Sequence, residues 1–262
     1  MIVHLMIPGL TRAHVENERI DFGDAPPTVV ADLTCTFPVS IEAVEATLLT
    51  GVAPAVHARW RSTDPLRAPL LDDPAVVHRR DDRVARARID APDDRAMLRR
   101  ALDDVGALIA TAREESRHVL VTSGPPHAAT PQRIDWPEGI ALEPLGGAAV
   151  SLAPLDAADR ARLLRTSGVA RVLDGDGLRS WHGPPVAAVV LAEPGWTFDA
   201  GAAACGRRDL DGTEDGAVVL AWGPPPDAWP RAVHDLRVGP TLAAHAGVAL
   251  ADAVDRPLRW PA

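Results

Sequence analysis

Apolar runs that are closed by Gly or Pro recur along the chain and alternate with segments of helical spacing. The runs that stand out lie at 1–7 (MIVHLMI), 118–123 (HVLVTS), 169–175 (VARVLDG), 186–194 (VAAVVLAEP) and 217–225 (AVVLAWGPP). Short apolar runs bounded by turn residues indicate buried strands. Residues 131–150 predict further short strands joined by turns.

Helical spacing appears in segments that also carry helix start and stop residues. These segments predict helices at 40–51, 93–115, 156–168 and 239–250. Ser40 is placed to cap the start of the first helix, and Gly168 is placed to cap the end of the third. The proline-containing, charge-rich stretch 61–94 predicts an irregular excursion.

The alternation of strands and helices predicts an α/β fold, in which a layered, mostly parallel central β-sheet is flanked by helices. A chain of 262 residues is long enough to bury a sizeable core. We therefore expect a single α/β domain over residues 1–262, interrupted by the excursion around 61–94.

Charge and cysteine content narrow the possible partners and the compartment. The formal net charge is −9, which argues against nucleic acid as a partner. No uninterrupted apolar stretch is long enough for a membrane span, and the start MIVHLMIPGL lacks the basic residues of a secretory signal. Cys35 and Cys205 lie far apart, so a disulfide framework or a structural zinc site is not expected. These features predict a cytoplasmic location.

Four stretches together resemble the nucleotide pyrophosphatase/phosphodiesterase branch of the alkaline phosphatase superfamily. They are TFPVSIEAVEATLLTGVAPAVH (36–57), VLVTSGPPHAAT (119–130), GVARVLDGDGLRSWHGPPVAAVVLAEPGWTF (168–198) and VHDLRVGPTLAAHAGVAL (233–250). The stretch at 119–130 resembles the family's strand that ends Thr-Ser-Asp-His-Gly. The resemblance implies an alkaline-phosphatase-like core with a reduced cap.

Members of that family hold two metal ions, usually zinc, through Asp and His ligands, and attack phosphoryl groups with a metal-bound Thr or Ser. The resemblance places the ligand and nucleophile positions on these residues of this chain: Pro8, Ile41, Val84, Arg88, Gly124, Pro125 and Cys205. None of the seven keeps the residue that the family uses. The sequence therefore predicts that the metal site and its phosphoryl-transfer chemistry are lost, and that no metal or other cofactor is bound.

Several polar residues near those positions are weak candidates for other chemistry. Ser40 is a displaced nucleophile or a helix cap, and Glu42 is a general base or a solvated residue of the first helical turn, like Glu45. Cys205 is a reactive thiol or an inert buried cysteine.

Four further residues have a functional and an ordinary interpretation. His127 lies just beyond the Gly-Pro-Pro turn, and it is catalytic or simply exposed. Arg207 and Arg208 bind an anion or pair with neighbouring aspartates. Trp196 lines a pocket or packs, and packing is the favoured interpretation.

The expected function is the binding of a small molecule or a protein partner, such as a second copy of the chain or an active homologue, without phosphoryl transfer. The alternative is a cleft refitted for metal-independent catalysis, as an isomerase, cyclase or hydrolase. Metal-dependent phosphodiesterase activity is the remote alternative.

Overall fold

The computed structural model describes most of the chain, with gaps. The described residues are 2–17, 26–36, 41–54, 84–88, 106–107, 109–111, 118–124, 132–145, 147–179, 181–198, 210, 216–223, 229–247, 250, 253 and 255–258. The predicted helix at 93–115 lies mostly outside them, although the described residues between 106 and 111 are helical. No helix in the described ranges is long and apolar enough to cross a membrane.

A six-stranded sheet forms the centre of the fold. Its strands are β1 (Ile2–Ile7), β2 (Val29–Thr34), β3 (Val84–Arg88), β4 (His118–Ser123), β11 (Val218–Trp222) and β12 (Ala232–His234). They follow the order β12-β2-β11-β4-β1-β3. Strand β11 runs antiparallel to both of its neighbours, and every other pairing is parallel. The carboxyl ends of five strands therefore meet at one edge of the sheet, as the predicted mostly parallel sheet requires.

The two faces of this sheet bury separate sets of side chains, because neighbouring residues of a strand point to opposite faces. Val3, Leu5 and Ile7 of β1 join one cluster with β4 and β11, while Ile2 and Met6 join the other. Both clusters are buried, so β1 and β4 contain consecutive apolar residues instead of an apolar–polar alternation. This burial explains why the sequence pattern located these strands within a residue or two.

Two helices cover the face of the sheet that contains Ile2 and Met6. They are α2 (Ile41–Thr50) and α4 (Val238–Ala246), and a short helix, α1 (Arg12–Asn17), follows β1. Val44 and Leu48 of α2 and Leu242 of α4 belong to the same buried cluster as Met6. The end of α2 and the start of α4 touch closely, since a Cβ on Gly239 would lie 2.8 Å from the backbone nitrogen of Gly51.

A second sheet carries the rest of the described chain. Its strands are β6 (Glu143–Leu145), β7 (Ala148–Ser151), β8 (Val169–Asp174) and β9 (Ala188–Ala192), in the order β6-β7-β9-β8, and a two-stranded sheet pairs β10 (Trp196–Thr197) with β5 (Gln132–Arg133). Helix α3 (Ala157–Leu164) packs beside β8. Arg160 of α3 contacts Asp174 and donates to the Val172 carbonyl at 3.1 Å.

Two local predictions differ from the structure. The stretch predicted as irregular contains β3, which pairs with β1 as an edge strand of the main sheet. Its sequence, VARAR, lacks the apolar run by which the central strands are found. Gly168 does not cap α3, because the helix ends at Leu164 with Arg165 as its cap. Gly168 instead has a φ of 85° and lies against the ring of Trp196.

A histidine of helix α4 and a histidine at the amino end of β4 lie close together. His245, in the last turn of α4, and His118, the first residue of β4, have ring centroids 5.5 Å apart. Burial lowers the pKa of both imidazoles. The charges of His118 and of the chain's amino terminus lower the pKa of His245 further. The folded state therefore favours the neutral form of both rings.

The free energy of unfolding is expected to fall as the pH drops below about 6.5, the ordinary pKa of histidine. Below that value the unfolded chain protonates both rings, whereas the folded chain does not until its lowered pKa values are reached. The unfolded state then binds more protons, so acid favours it. Urea denaturation at about pH 5 to 8 measures the slope. His245→Gln should give a shallower pH dependence, and identical slopes in the two proteins would refute the assignment.

Candidate functional site

The carboxyl edge of the main sheet brings together two of the positions that the family resemblance marks as metal ligands. Ile7 of β1 is paired with Ser123 of β4, so the next residues, Pro8 and Gly124, lie side by side. A Cβ placed on Gly124 would be 3.3 Å from the Cα of Pro8 and 3.3 Å from the Cε of Met6. Both residues are buried. Pro8 and Gly124 are thus adjacent, as two ligands of one metal site would be, but neither residue has a side chain that can bind a metal.

The register of β3 separates the two positions assigned to its ends. Arg88 is paired with Met6 near the carboxyl edge, whereas Val84 is paired with Ile2 at the opposite end of the strand. Four residues of extended chain span about 13 Å. Arg88 therefore lies near the candidate site, and the placement of Val84 in that site is not supported by the geometry.

Helix α2 starts where the sequence predicts it to. Ile41 is its first residue, and Glu42 and Glu45 are half-buried on its first turns. Ser40 lies outside the described residues, so its predicted capping role stays a prediction. The same holds for Pro125, His127, Cys205, Arg207 and Arg208.

Trp196 packs against the backbone of the turn before β8. A Cβ on Gly168 would lie 2.3 Å from its ring, and the tryptophan joins the cluster around Phe198 on the second sheet. This contact agrees with the packing interpretation and leaves no observation in favour of ligand binding by Trp196.

The two metal ions implied by the family resemblance do not fit the residues at these positions. Zinc in such a site is held by carboxylate and imidazole groups. Of the seven positions, Cys205 alone carries a zinc-binding side chain, and Pro8 and Gly124 carry no donor. Across the described part of the chain, no three His, Cys, Asp or Glu side chains come together as a possible metal cluster. No step of a mechanism is therefore assigned to a metal here.

A buried polar network at the same edge was missed by the sequence analysis. Asp235 follows β12, and its side chain is 0% exposed. Its carboxylate accepts from the Thr36 backbone nitrogen and from the Thr36 hydroxyl, both at 2.7 Å, and from the Leu236 backbone nitrogen at 2.9 Å. Nδ1 of His234 lies 2.9 Å from the same carboxylate. The signal in the sequence is the pair His-Asp directly after a short strand, in VHDL.

The network holds the start of the segment that leads from β2 to α2. Thr36 is two residues beyond β2 and five before Ile41, the position where the family places its nucleophile. Because Asp235 is fixed by three hydrogen bonds, it anchors this segment to the end of β12. A second buried pair, Nε2 of His4 and Oγ1 of Thr122 at 2.9 Å, lies two to four residues before Pro8 and Gly124 in the adjacent strands.

A separate concavity lies beside α3 and β8 of the second sheet. It has a volume of about 500 Å³, and polar and apolar residues of α3, β8 and the turn after β8 line it. Arg160, Arg171, Asp174 and Asp176 supply its charged groups. Its volume is in the range of small-molecule sites.

Solved structures identify the class of fold. The chain is similar to murine ectonucleotide pyrophosphatase/phosphodiesterase 5, with a TM-score of 0.60 and 11% identity over 97% of this chain and 96% of that one. The human protein of the same name gives a TM-score of 0.66 and 10% identity, with 95% of each chain covered. An inactive form of the murine protein in complex with AMP gives 0.60 and 11%.

At this low identity the similarity establishes the fold alone. The predicted α/β class, with a mostly parallel central sheet and an alkaline-phosphatase-like core, is confirmed. The reduced cap and the single-domain organisation stay predictions. No protein-family model and no curated protein sequence matches the chain.

Proposed function

We propose that this chain has the phosphodiesterase-like fold without two-metal phosphoryl transfer, and that it binds a small molecule or a protein partner. The adjacency of Pro8 and Gly124 carries the proposal. The positions that the resemblance assigns to ligand aspartates lie in contact at the carboxyl ends of β1 and β4, and neither has a donor side chain.

Two-metal phosphoryl transfer depends on ligands that these residues do not supply. The metals activate the nucleophile and stabilise the charge of the leaving oxygen, and both tasks require that the protein hold them at fixed positions. Proline offers neither a side-chain ligand nor a backbone N–H group, and glycine has no side chain. A phosphodiester bound here would lack the charge neutralisation that its hydrolysis needs.

The arrangement of the strand ends in the main sheet supports a binding function. Ligands of open α/β sheets bind at the carboxyl ends of the strands, and that edge is intact here. The open, mostly polar concavity of about 500 Å³ beside α3 is the proposed position for a small ligand. The net charge of −9 favours partners other than nucleic acid, and a second copy of the chain or an active homologue of the same fold is the protein partner we propose. Two cysteines far apart in sequence suit the reducing cytoplasm.

Metal analysis together with a turnover assay tests the loss of phosphoryl transfer. We expect well below about 0.1 equivalent of zinc after purification in zinc-containing buffer, because the donor set is missing. Bis(p-nitrophenyl) phosphate should not be hydrolysed above the buffer rate with added Zn²⁺. Cys205→Ser is the matched control, since it removes the one zinc-binding side chain among the seven positions and should change neither result.

Stoichiometric zinc with zinc-dependent turnover would overturn the proposal and restore the metal-dependent phosphodiesterase. Loss of that zinc in the Cys205→Ser variant would then identify Cys205 as a ligand. Light scattering on the purified protein measures self-association separately, and a monomer at all concentrations would remove the second copy as the proposed partner.

A further inference from the structure

Strand β8 lies at one end of the second sheet. Among the strands that the structure describes, only β9 pairs with it. With six residues, β8 is also the longest strand at the end of a described sheet. The outer edge of an end strand presents N–H and C=O groups with which a strand of another chain can pair, so such an edge favours self-association.

The other end strands carry features that limit such pairing. Strands β12 and β6 have three residues each, and β6 contains Pro144, whose nitrogen cannot donate a hydrogen bond. Strand β3 has the sequence VARAR, with two arginines among five residues. Strand β8, with the sequence VARVLD, is longer and lacks proline. Its own sequence therefore protects its outer edge less well than the sequences of β6 and β12 protect theirs.

The concavity beside α3 runs along this outer edge. Four consecutive residues of β8, from Arg171 to Asp174, line it together with Arg160 and Leu164 of α3. Consecutive side chains of a strand point to opposite faces of the sheet, so a surface that all four residues line follows the edge of the strand and not one face.

The side chain of Arg160 occupies this edge. Its guanidinium donates to the Val172 carbonyl at 3.1 Å and also contacts the Asp174 carboxylate. Val172 and Asp174 are two residues apart, and residues at that spacing direct their backbone groups to the same side of a strand. One guanidinium thus binds a backbone acceptor and an acidic side chain of the same strand.

The packing of α3 holds Arg160 at this position. Leu163, one turn further along the helix, is buried in the same cluster as Val172. At the start of the helix, the Asp156 side chain accepts from the backbone nitrogen of Asp159 at 2.7 Å. Arg160 therefore extends from a helix that is capped at its start and anchored to the sheet.

We propose that Arg160 blocks the pairing of the β8 edge with the same edge of a second copy of the chain, and that Asp174 holds the arginine in place. Two copies of one edge strand can pair in antiparallel orientation about a two-fold axis. An incoming strand would have to displace Arg160 from both of its charge-assisted partners. This inference goes beyond the proposed binding function and does not depend on it.

Arg160→Met tests the proposal, because methionine keeps a long unbranched side chain but has no donor. Light scattering measures the weight-average mass between about 1 and 100 μM, where micromolar association is detected. We expect the mass of this variant to rise with concentration towards about twice that of the wild type. The wild-type mass should not show this rise.

Arg162→Met is the matched control on the same helix. The Arg162 side chain is 42% exposed, against 41% for Arg160. It also binds one aspartate, Asp159, at 3.1 Å and one backbone carbonyl, that of Glu138, at 3.0 Å. Glu138 lies in a turn and not in a strand. This variant should therefore keep the mass of the wild type.

Two further measurements connect any association to β8. Asp174→Asn removes the charge that holds Arg160 and keeps the size of the side chain, so it should associate more weakly than Arg160→Met but more than the wild type. Hydrogen exchange followed by mass spectrometry should show added protection of residues 169–174 in the associated Arg160→Met protein. Far-UV circular dichroism shows whether each variant keeps the fold.

A mass of Arg160→Met equal to that of the wild type overturns the proposal. Equal association of Arg162→Met, or association without added protection of β8, also overturns it. If Arg160→Met does not fold, Asp174→Asn decides, and a wild-type mass in that variant overturns the proposal. None of these results bears on the proposed loss of phosphoryl transfer, which the zinc content decides.

Discussion

Replacing Asp235 with alanine is expected to lower the free energy of unfolding by about 3 to 5 kcal/mol. The substitution removes an acceptor that Thr36 reaches twice at 2.7 Å and Leu236 once at 2.9 Å. The donors lose a charged acceptor in a buried position, since Asp235 is 0% exposed and Thr36 is buried, and an unsatisfied buried donor costs free energy. Urea denaturation measures the loss, and the far-UV signal shows whether the variant still folds.

Asp176→Ala is the control for this prediction. The Asp176 carboxylate accepts a hydrogen bond from Arg179 at 2.9 Å, but both of these side chains are exposed. An exposed pair contributes at most about 1 kcal/mol, so this variant should stay close to wild type. If Asp235→Ala lost no more than the Asp176 control, the buried network would not be what fixes the end of β2 to β12.

Gly168→Ala is expected to cost about 2 to 4 kcal/mol, the second large effect. Its φ of 85° belongs to the left-handed region, which costs an alanine about 1 kcal/mol. The added Cβ would lie 2.3 Å from Trp196 Cε3, so the ring or the turn must move. Urea denaturation measures the loss in the free energy of unfolding, and tryptophan fluorescence shows whether the ring has shifted.

Gly139→Ala separates the two parts of that cost. Gly139 has a nearly identical φ of 89°, but no atom lies within 4 Å of the position its Cβ would take. It should lose only the backbone part, about 1 kcal/mol. Equal losses at the two glycines would mean that Trp196 moves aside freely, which would contradict the tight packing of the second sheet.

At the candidate site, the fold brings Pro8 and Gly124 together, but neither residue has a side chain that can bind a metal. The parallel pairing of β1 and β4 places Pro8 beside Gly124 regardless of which side chains those positions carry. The sheet is stabilised by its buried faces, so this pairing does not depend on the side chains at the ends of the strands.

Much of the fold could be predicted from local pattern. Strands β1, β4, β9 and β11 are buried on both faces, so each contains consecutive apolar residues rather than an apolar–polar alternation. The spacing and the glycine stop of α2 predict its bounds within one residue. The edge strand β3 could not be predicted in this way, because VARAR lacks an apolar run and lies in a stretch rich in proline and charged residues.

The site could be predicted only in part. The sequence resemblance located Pro8 and Gly124, which adjacent strands bring together, but it could not show that Val84 lies at the other end of β3. A spacing of four residues places two side chains on one face of a helix and about 13 Å apart on a strand. The register of the strand therefore places Arg88 nearer than Val84 to the carboxyl edge of β1.

By itself, the sequence determined the α/β class and the main strands and helices, and it predicts that the positions resembling the family's motifs lack metal ligands. These properties depend on local periodicity and on residue identity, both of which can be read from a single sequence. The tertiary structure alone decided that Thr36 binds a carboxylate 199 residues away, that His234 is oriented by the same carboxylate, and that Trp196 packs on Gly168. Such contacts depend on strand order and register, which arise from packing across the whole chain and leave no local pattern.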